Sequence, residues 1–149
     1  MLTTVKDILL VEDDPNDVEL TLAALRSCNL ANRVELARDG EEGLDYLCRR
    51  GKFECAPGTP PVVVILDLKL PKVTGLELLA TIRADDRLRH QPVVILTSSR
   101  EEPDLAEAYR LGVNAFVVKP GTFAGFMEAV KGLGLFWALL NVTPGRTPP

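Results

Sequence analysis

A short apolar run that ends in a carboxylate constrains this chain most. Residues 62–66 (VVVIL) are all apolar and mostly β-branched, and Asp67 follows them directly. Such a run is typical of a β-strand that is buried on both faces, as the strands of a parallel sheet are. An aspartate at the end of that strand would lie at the edge where open α/β sheets bind their ligands. The residues that other strands bring to this edge therefore decide what Asp67 does.

Similar runs recur along the chain, and a helical pattern follows each of them. We expect strands at 7–11, 33–37, 62–66, 92–96 and 115–118. We expect helices from Pro15, after Asp39–Gly40, and over 74–83, 101–111 and 122–141. Asp14 and Pro15 suit the N-cap and first position of the first helix. This alternation predicts an α/β fold of (βα)5 type, a doubly wound five-stranded parallel sheet in a three-layer αβα arrangement.

The bulk properties exclude several classes of protein. The 149 residues predict one domain over 1–141, a Pro-rich tail at 142–149 and no output domain. The net charge of −4 argues against a general nucleic-acid-binding protein. No apolar run reaches the roughly 18 residues that a membrane span needs. Three scattered cysteines indicate reduced thiols in a cytoplasmic protein, and the lone His90 argues against a histidine-based metal site or a Ser-His-Asp triad.

Four of the five predicted strands end in charged or hydroxyl side chains. Because the carboxyl ends of parallel strands share one edge, these side chains should converge there. Any one of them alone would more often cap a helix or form a turn, but four strand ends of this kind together indicate a site. The groups are Glu12, Asp13 and Asp14 after the first strand, Asp67 after the third, Thr97, Ser98 and Ser99 after the fourth, and Lys119 after the fifth.

These residue types indicate a divalent cation and phosphoryl chemistry. Neighbouring buried carboxylates repel each other, and a hard cation relieves that repulsion. Asp13, Asp67 and one backbone carbonyl, with Glu12 acting through water, would suit Mg²⁺ or Mn²⁺, whereas Zn²⁺ prefers thiolates and imidazoles. Asp67 could then accept a phosphoryl group as a nucleophile. Thr97 and Lys119 would stabilise the transferred oxygens, although Lys119 could also serve only as an ion-pair partner of Asp67.

Four motifs in order resemble the response-regulator receiver domain of bacterial two-component signalling. They are ILLVEDD at 8–14, ILDLKLPKVTG at 65–75, VVILTSS at 93–99 and FVVKP at 116–120. The resemblance covers residues 6 to about 140 and implies a CheY-like, flavodoxin-like fold. It implies a two-component response regulator that accepts a phosphoryl group in a Mg²⁺- or Mn²⁺-dependent reaction. Such a protein is not a metabolic enzyme, because it catalyses only its own phosphorylation and dephosphorylation.

The resemblance also implies a role for each matching residue at the site. Asp67 would be the phosphoacceptor, and the metal ligands would be Asp13, Asp67 and the Lys69 carbonyl, with Glu12 acting through water. Thr97 would be the switch hydroxyl, and Lys119 would contact the phosphoryl group.

Two further expectations concern the fifth strand and the peptide bond that follows it. Phe116 stands at the position of the switch aromatic, which is often a tyrosine, so it cannot signal through a ring hydroxyl. The Lys119–Pro120 bond is expected to be cis, which costs little before proline.

Within this family the chain resembles the single-domain regulators that are paired with bacterial phytochromes. The cues are VEDDPNDVELTLAAL at 11–25, a long loop at 51–61 and VKGLGLFWALLN at 130–141 in an extended last helix. They imply a sensor histidine kinase of the bacteriophytochrome kind as the partner, and they make the loop a candidate for partner recognition. Output would pass through altered protein–protein contacts, or the chain would act as a phosphorelay intermediate or a phosphate sink.

The last predicted helix carries apolar residues on two faces. The main stripe, which should face the core, comprises Phe123, Phe126, Met127, Val130, Leu133, Trp137 and Leu140. Leu135, Phe136 and Leu139 lie off that stripe, so either the chain's own tail or another protein covers them. We expect a symmetric homodimer through helix four, strand five and helix five. Close helix packing would explain Gly132 and Gly134.

Two other classes of protein fit the sequence less well. Haloacid-dehalogenase-like phosphatases also use an aspartate at a strand end, but they have a second aspartate two residues later, where this chain has Lys69. An unphosphorylated scaffold with the same fold would usually lack the acidic pair, the acceptor aspartate or the lysine, and this chain has all of them.

Overall fold

Five parallel strands form the central sheet of the computed structural model, which describes residues 6–56 and 59–140. They are β1 (Ile8–Val11), β2 (Val34–Ala37), β3 (Val63–Leu66), β4 (Val93–Thr97) and β5 (Ala115–Val118). Their order across the sheet is β2-β1-β3-β4-β5. The chain turns from β1 outward to β2 and then returns to β3 on the other side of β1. The carboxyl ends of β1 and β3 therefore border a topological switch point, where sheets of this kind bind ligands.

Five α-helices connect and follow these strands. They are α1 (Pro15–Ser27), α2 (Gly40–Cys48), α3 (Gly75–Ala84), α4 (Glu102–Arg110) and α5 (Phe123–Leu135). The Asp14 side chain accepts hydrogen bonds from the N–H groups of Asn16 and Asp17, as expected of an N-cap. Thr74 and Glu77 form a capping box at the start of α3. The predicted α/β fold is confirmed, with element ends that differ from the prediction by one or two residues except in α5.

Alternate residues of each strand face opposite sides of the sheet, and each side has its own core. Leu9 and Val11 of β1 face one side, where they join buried residues of α2, α3 and α4. Ile8 and Leu10 face the other side, where they join buried residues of α1 and α5. Both cores are therefore built from the same short strands, which explains why β1 and β3 are apolar at every position and β4 is apolar up to Thr97.

The last helix departs from its predicted pattern at both ends. Phe126, Val130 and Trp137 are buried as expected, but Phe123 is 65% exposed. The reason is that Phe123 is the first residue of α5, where the helix has only begun beyond the end of β5. From Phe136 to Leu140 the helix continues as a π-helical segment. The side chains of Leu139 and Leu140 and the predicted tail at 142–149 lie outside the described residues.

The two glycines near the end of α5 have different surroundings. A Cβ atom on Gly134 would lie 2.8 Å from Leu25 Cδ2 of α1, whereas nothing lies within 4 Å of a Cβ on Gly132. Close helix packing therefore explains Gly134 and does not explain Gly132.

Two further findings concern the backbone and the helices. No peptide bond in the described part of the chain is cis, so the expected cis bond before Pro120 is wrong. The trans form is the lower in energy even before proline, by roughly 0.5–1 kcal/mol. Of the helices within residues 6–56 and 59–140, none combines the length and the apolar character needed to cross a membrane.

Candidate functional site

Backbone hydrogen bonds continue the sheet by one residue beyond its strands and so fix the site residues. The Glu12 N–H donates to the Ala37 carbonyl over 3.0 Å, and the Asp67 N–H donates to the Val11 carbonyl over 3.2 Å. The Lys119 N–H donates to the Thr97 carbonyl over 2.7 Å. Glu12, Asp67 and Lys119 therefore leave the sheet at the same edge, as the sequence predicted.

The two carboxylate oxygens of Asp67 have different partners. Oδ1 accepts hydrogen bonds from the Thr97 hydroxyl at 2.9 Å and from the Lys69 N–H at 3.2 Å. Oδ2 accepts one from Lys119 Nζ at 2.9 Å. Burial alone would raise the pKa of Asp67, but the hydrogen bond and charge of Lys119, followed by the bonds from Thr97 and Lys69, outweigh it and lower the pKa. Asp67 is therefore an ionised carboxylate, as a nucleophile must be.

The Lys119 ammonium lies among three carboxylates. Its Nζ is 2.6 Å from Asp17 Oδ2, 2.9 Å from Asp67 Oδ2 and 3.0 Å from Glu12 Oε2. Burial alone would lower the pKa of Lys119, but the bonds to Asp17 and Asp67 and the charges around it raise that pKa above its ordinary value. Lys119 is therefore a permanent cation whose side chain is only 9% exposed.

Negative charge exceeds positive charge in this cluster. Burial, together with the nearby charge of Asp67, raises the pKa of Glu12 to about 7, although Lys119 opposes the shift. Oxygen atoms of Glu12, Asp17 and Asp67 lie within 4.8 Å of one another. All three are hard donors, and no thiol or imidazole among the described residues joins this group. The cluster therefore fits a hard divalent cation such as Mg²⁺ or Mn²⁺, which would offset the excess negative charge.

Some of the predicted site residues join the cluster and others lie beside it. Glu12, Asp67, Thr97 and Lys119 are in direct contact through their side chains. Asp13 is exposed beside Glu12, and in the described part of the chain its side chain makes no hydrogen bond or ion pair. Lys69 is also exposed, and its N–H contacts Asp67.

One member of the cluster, Asp17, was missed by the sequence analysis. It is the third residue of α1 and so belongs to a helix, whereas the predicted site residues directly follow strands. The sequence feature that could have identified Asp17 is its position in the first turn of α1. That helix begins at the edge of the sheet where the other acids lie.

The other predicted residues lie away from the cluster. Phe116 is half-buried and packs against the core on the α2–α4 side of the sheet. Leu135 is 41% exposed and Phe136 is 48% exposed. His90 is on the surface, as expected.

The fold and the cluster define a class of protein, and comparison with known proteins gives the family. The family model for the response regulator receiver domain matches residues 8–131 of this chain. The chain belongs to this family of response regulators.

Two curated relatives match along most of the chain. The probable methanogenesis regulatory protein FilR2 of Methanothrix harundinacea is 39% identical over 138 residues, 93% of this chain and 87% of that protein. The response regulator Rcp1 of Synechocystis is 36% identical over 132 residues, 89% of this chain and 88% of that protein.

Solved structures of response regulators also resemble the chain. The bacteriophytochrome response regulator AtBRR is 61% identical, with a TM-score of 0.76 over 94% of this chain and 100% of that one. The phosphorylated cyanobacterial phytochrome response regulator RcpA is 36% identical, with a TM-score of 0.88 over 95% and 100%. The Mn²⁺-bound form of Rcp1 is 34% identical, with a TM-score of 0.87 over 94% and 99%.

Proposed function

We propose that this response regulator accepts a phosphoryl group on Asp67 from a partner histidine kinase. The observation that carries the proposal is the arrangement around Asp67. A hydroxyl and an ammonium each hold one of its carboxylate oxygens at 2.9 Å, in a buried and acid-rich site. A structural ion pair would need Lys119 alone. The additional hydroxyl and the excess of acid are what a phosphoryl site requires.

In the proposed reaction a carboxylate oxygen of Asp67 attacks phosphorus of a phosphohistidine on the kinase. The phosphorus–nitrogen bond breaks, and its electron pair returns to the imidazole. Thr97 and Lys119 already contact Asp67, so they can shift to the phosphoryl oxygens as those oxygens take up negative charge. The chain thereby catalyses only its own phosphorylation and its later hydrolysis.

The acidic cluster would hold Mg²⁺ or Mn²⁺ during this reaction. The proposed ligands are Asp13, Asp67 and the Lys69 carbonyl, with Glu12 acting through water. When bound, the cation supplies charge neutralisation for the phosphoryl oxygens. The carboxylates of Glu12, Asp17 and Asp67 support a hard cation at this place because they are oxygen donors with an excess of negative charge. The roles of Asp13 and of the Lys69 carbonyl rest on the family resemblance.

The proposed partner is a bacteriophytochrome that acts as a sensor histidine kinase in the cytoplasm. Support comes from AtBRR, a bacteriophytochrome response regulator that is 61% identical to this chain. A panel of histidine kinases that includes a phytochrome kinase tests the pairing. We expect the fastest phosphotransfer from the phytochrome kinase, and equal rates from unrelated kinases would contradict it.

We also propose that the signal leaves through protein–protein contacts, including a homodimer through α4, β5 and α5. Exposed apolar side chains on these helices support this proposal, since such groups favour contact with another protein. They are Tyr109 at 54%, Phe123 at 65%, Leu135 at 41% and Phe136 at 48% exposure. Sedimentation at tens of micromolar, with and without a phosphoryl analogue, tests the dimer, and a monomer in both states would contradict it.

The central test is Mg²⁺-dependent labelling by acetyl phosphate of the unmodified chain and of Asp67→Asn. We expect loss of the label in this variant because asparagine has the same shape but is not a nucleophile. Glu102→Gln, which neutralises an exposed acid on α4, is the control and should be labelled normally. Continued labelling of Asp67→Asn would refute Asp67 as the acceptor.

A further inference from the structure

The three carboxylates around Lys119 use all of its hydrogen-bond donors. Its ammonium has three N–H groups, and Nζ lies 2.6 Å from Asp17 Oδ2, 2.9 Å from Asp67 Oδ2 and 3.0 Å from Glu12 Oε2. A phosphoryl group on Asp67 would bring further anionic oxygens to this place. Lys119 can donate to one of them only if it releases one of its present partners.

Asp17 is the partner whose release costs least. Its side chain is 29% exposed, whereas those of Glu12 and Asp67 are 5% and 10% exposed. Water can therefore hydrate the Asp17 carboxylate once this ion pair opens, while a more buried acid would be left without a partner. Glu12 is also held by the Asp14 N–H at 3.1 Å, and Asp67 would carry the phosphoryl group itself.

The bond between Asp17 and Lys119 joins two distant parts of the chain. Asp17 lies in the first turn of α1, and Lys119 directly follows β5. Within the described residues, Lys119 is the only partner of the Asp17 side chain. At 2.6 Å the bond is the shortest of the three, and both of its groups are charged. It therefore competes with any other anion for the Lys119 ammonium.

We infer that Asp17 is a positioning residue that holds Lys119 until a phosphoryl group on Asp67 takes its place. This inference rests on the proposed function. Lys119 keeps all of its protons in the exchange. One N–H turns from the Asp17 carboxylate to a phosphoryl oxygen, and water hydrates the released carboxylate. Occupation of Asp67 thereby opens the link between α1 and the segment after β5, and Asp17 lowers the affinity of the site for a phosphoryl group.

The test is a calorimetric titration with beryllofluoride, a tetrahedral analogue of the phosphoryl group, at a Mg²⁺ concentration that saturates each variant. Asp17→Ala removes the competitor for Lys119, so we expect binding about fivefold tighter than in the unmodified chain. Asp17→Asn keeps a neutral acceptor, so its affinity should lie between the two. Glu19→Gln removes an exposed acid of the same helix whose side chain has no partner among the described residues, and it should leave the affinity unchanged.

A crystal structure of the unmodified chain with Mg²⁺ and beryllofluoride separates an exchange at Lys119 from a general effect of charge. Lys119 Nζ should contact the analogue and lie more than about 4 Å from Asp17 Oδ2, beyond the limit of an ion pair. An ion pair that persists beside the bound analogue would overturn the role of Asp17. Unchanged or weaker binding in Asp17→Ala, or an equal gain in Glu19→Gln, would also overturn it. Absence of analogue binding to the unmodified chain would overturn the proposed function and this inference together.

Discussion

The two edges of the sheet both contain buried polar groups, but their charges are arranged differently. At the amino edge, Asp7 accepts hydrogen bonds from Tyr46 Oη at 2.8 Å and from Arg33 at 3.1 Å. Arg33 also lies 3.5 Å from Glu35, so two acids share one base, and that base is 59% exposed. At the carboxyl edge, Glu12, Asp17 and Asp67 share the single Lys119. The amino edge joins β1, β2 and α2, and its arginine is exposed to solvent, which screens the charges. The carboxyl edge has a buried excess of acid, which costs stability. The proposed cation and phosphoryl chemistry depends on that excess.

Removal of Lys119 should give the largest effect on stability at the carboxyl edge. Lys119→Met leaves three neighbouring acids without their cation, so we expect a loss of about 3 kcal/mol in the free energy of unfolding in metal-free buffer. Urea unfolding measures it. Lys52→Met is the control, because Lys52 is 60% exposed in its pair with Glu42 and should contribute less than about 1 kcal/mol. Equal losses in the two variants would contradict the difference between the buried cluster and the surface pair.

Glu12 should make stability depend on pH. Its pKa is raised from 4.5 to about 7 in the folded chain, so the folded state binds the proton more tightly than the unfolded state. Its contribution is therefore fully present below about pH 4.5 and is lost as pH rises to about 7, by up to about 3 kcal/mol. Urea unfolding across this range, in buffer without divalent cations, measures the slope. Glu12→Gln should flatten it, and an unchanged slope would contradict the assignment to Glu12.

Tyr46 tests the amino edge and should have a smaller effect. Tyr46→Phe removes the hydrogen bond to Asp7 but leaves Arg33 in place, so we expect a loss of about 1 kcal/mol. Burial, followed by the bond to Asp7, raises the pKa of Tyr46 to about 12, so its hydroxyl remains a donor at neutral pH. Labelling by acetyl phosphate should be unchanged in this variant. A large fall in labelling would show that the two edges are not independent.

Divalent metal provides a further comparison between the edges. Mg²⁺ should raise the melting temperature of the unmodified chain, because a ligand that binds only the folded state stabilises it. Asp67→Asn should reduce this shift, whereas Tyr46→Phe should retain it in full. Thermal melts at several Mg²⁺ concentrations measure the effect. Equal shifts in both variants would place the metal away from Asp67.

The strand ends were predictable from the sequence because a parallel sheet brings them to one edge. Glu12, Asp67, Thr97 and Lys119 follow from that rule. Asp17 does not, because its side chain reaches the site from a helix, and its position depends on how α1 leaves β1. The exposure of Phe123 also depends on where α5 begins relative to the sheet, which helical periodicity does not specify. The hydrogen bonds that join Thr97, Ser99 and Asp104 depend on the path of the loop between β4 and α4.

The most direct test is to locate the phosphoryl group, since four acids lie at or beside the site. The chain is labelled with acetyl phosphate and Mg²⁺, the acyl phosphate is trapped by reduction, and the modified residue is identified by peptide mass spectrometry. We expect the modification on Asp67, between the Thr97 hydroxyl and the Lys119 ammonium. Modification of Glu12, Asp13 or Asp17 instead would contradict it.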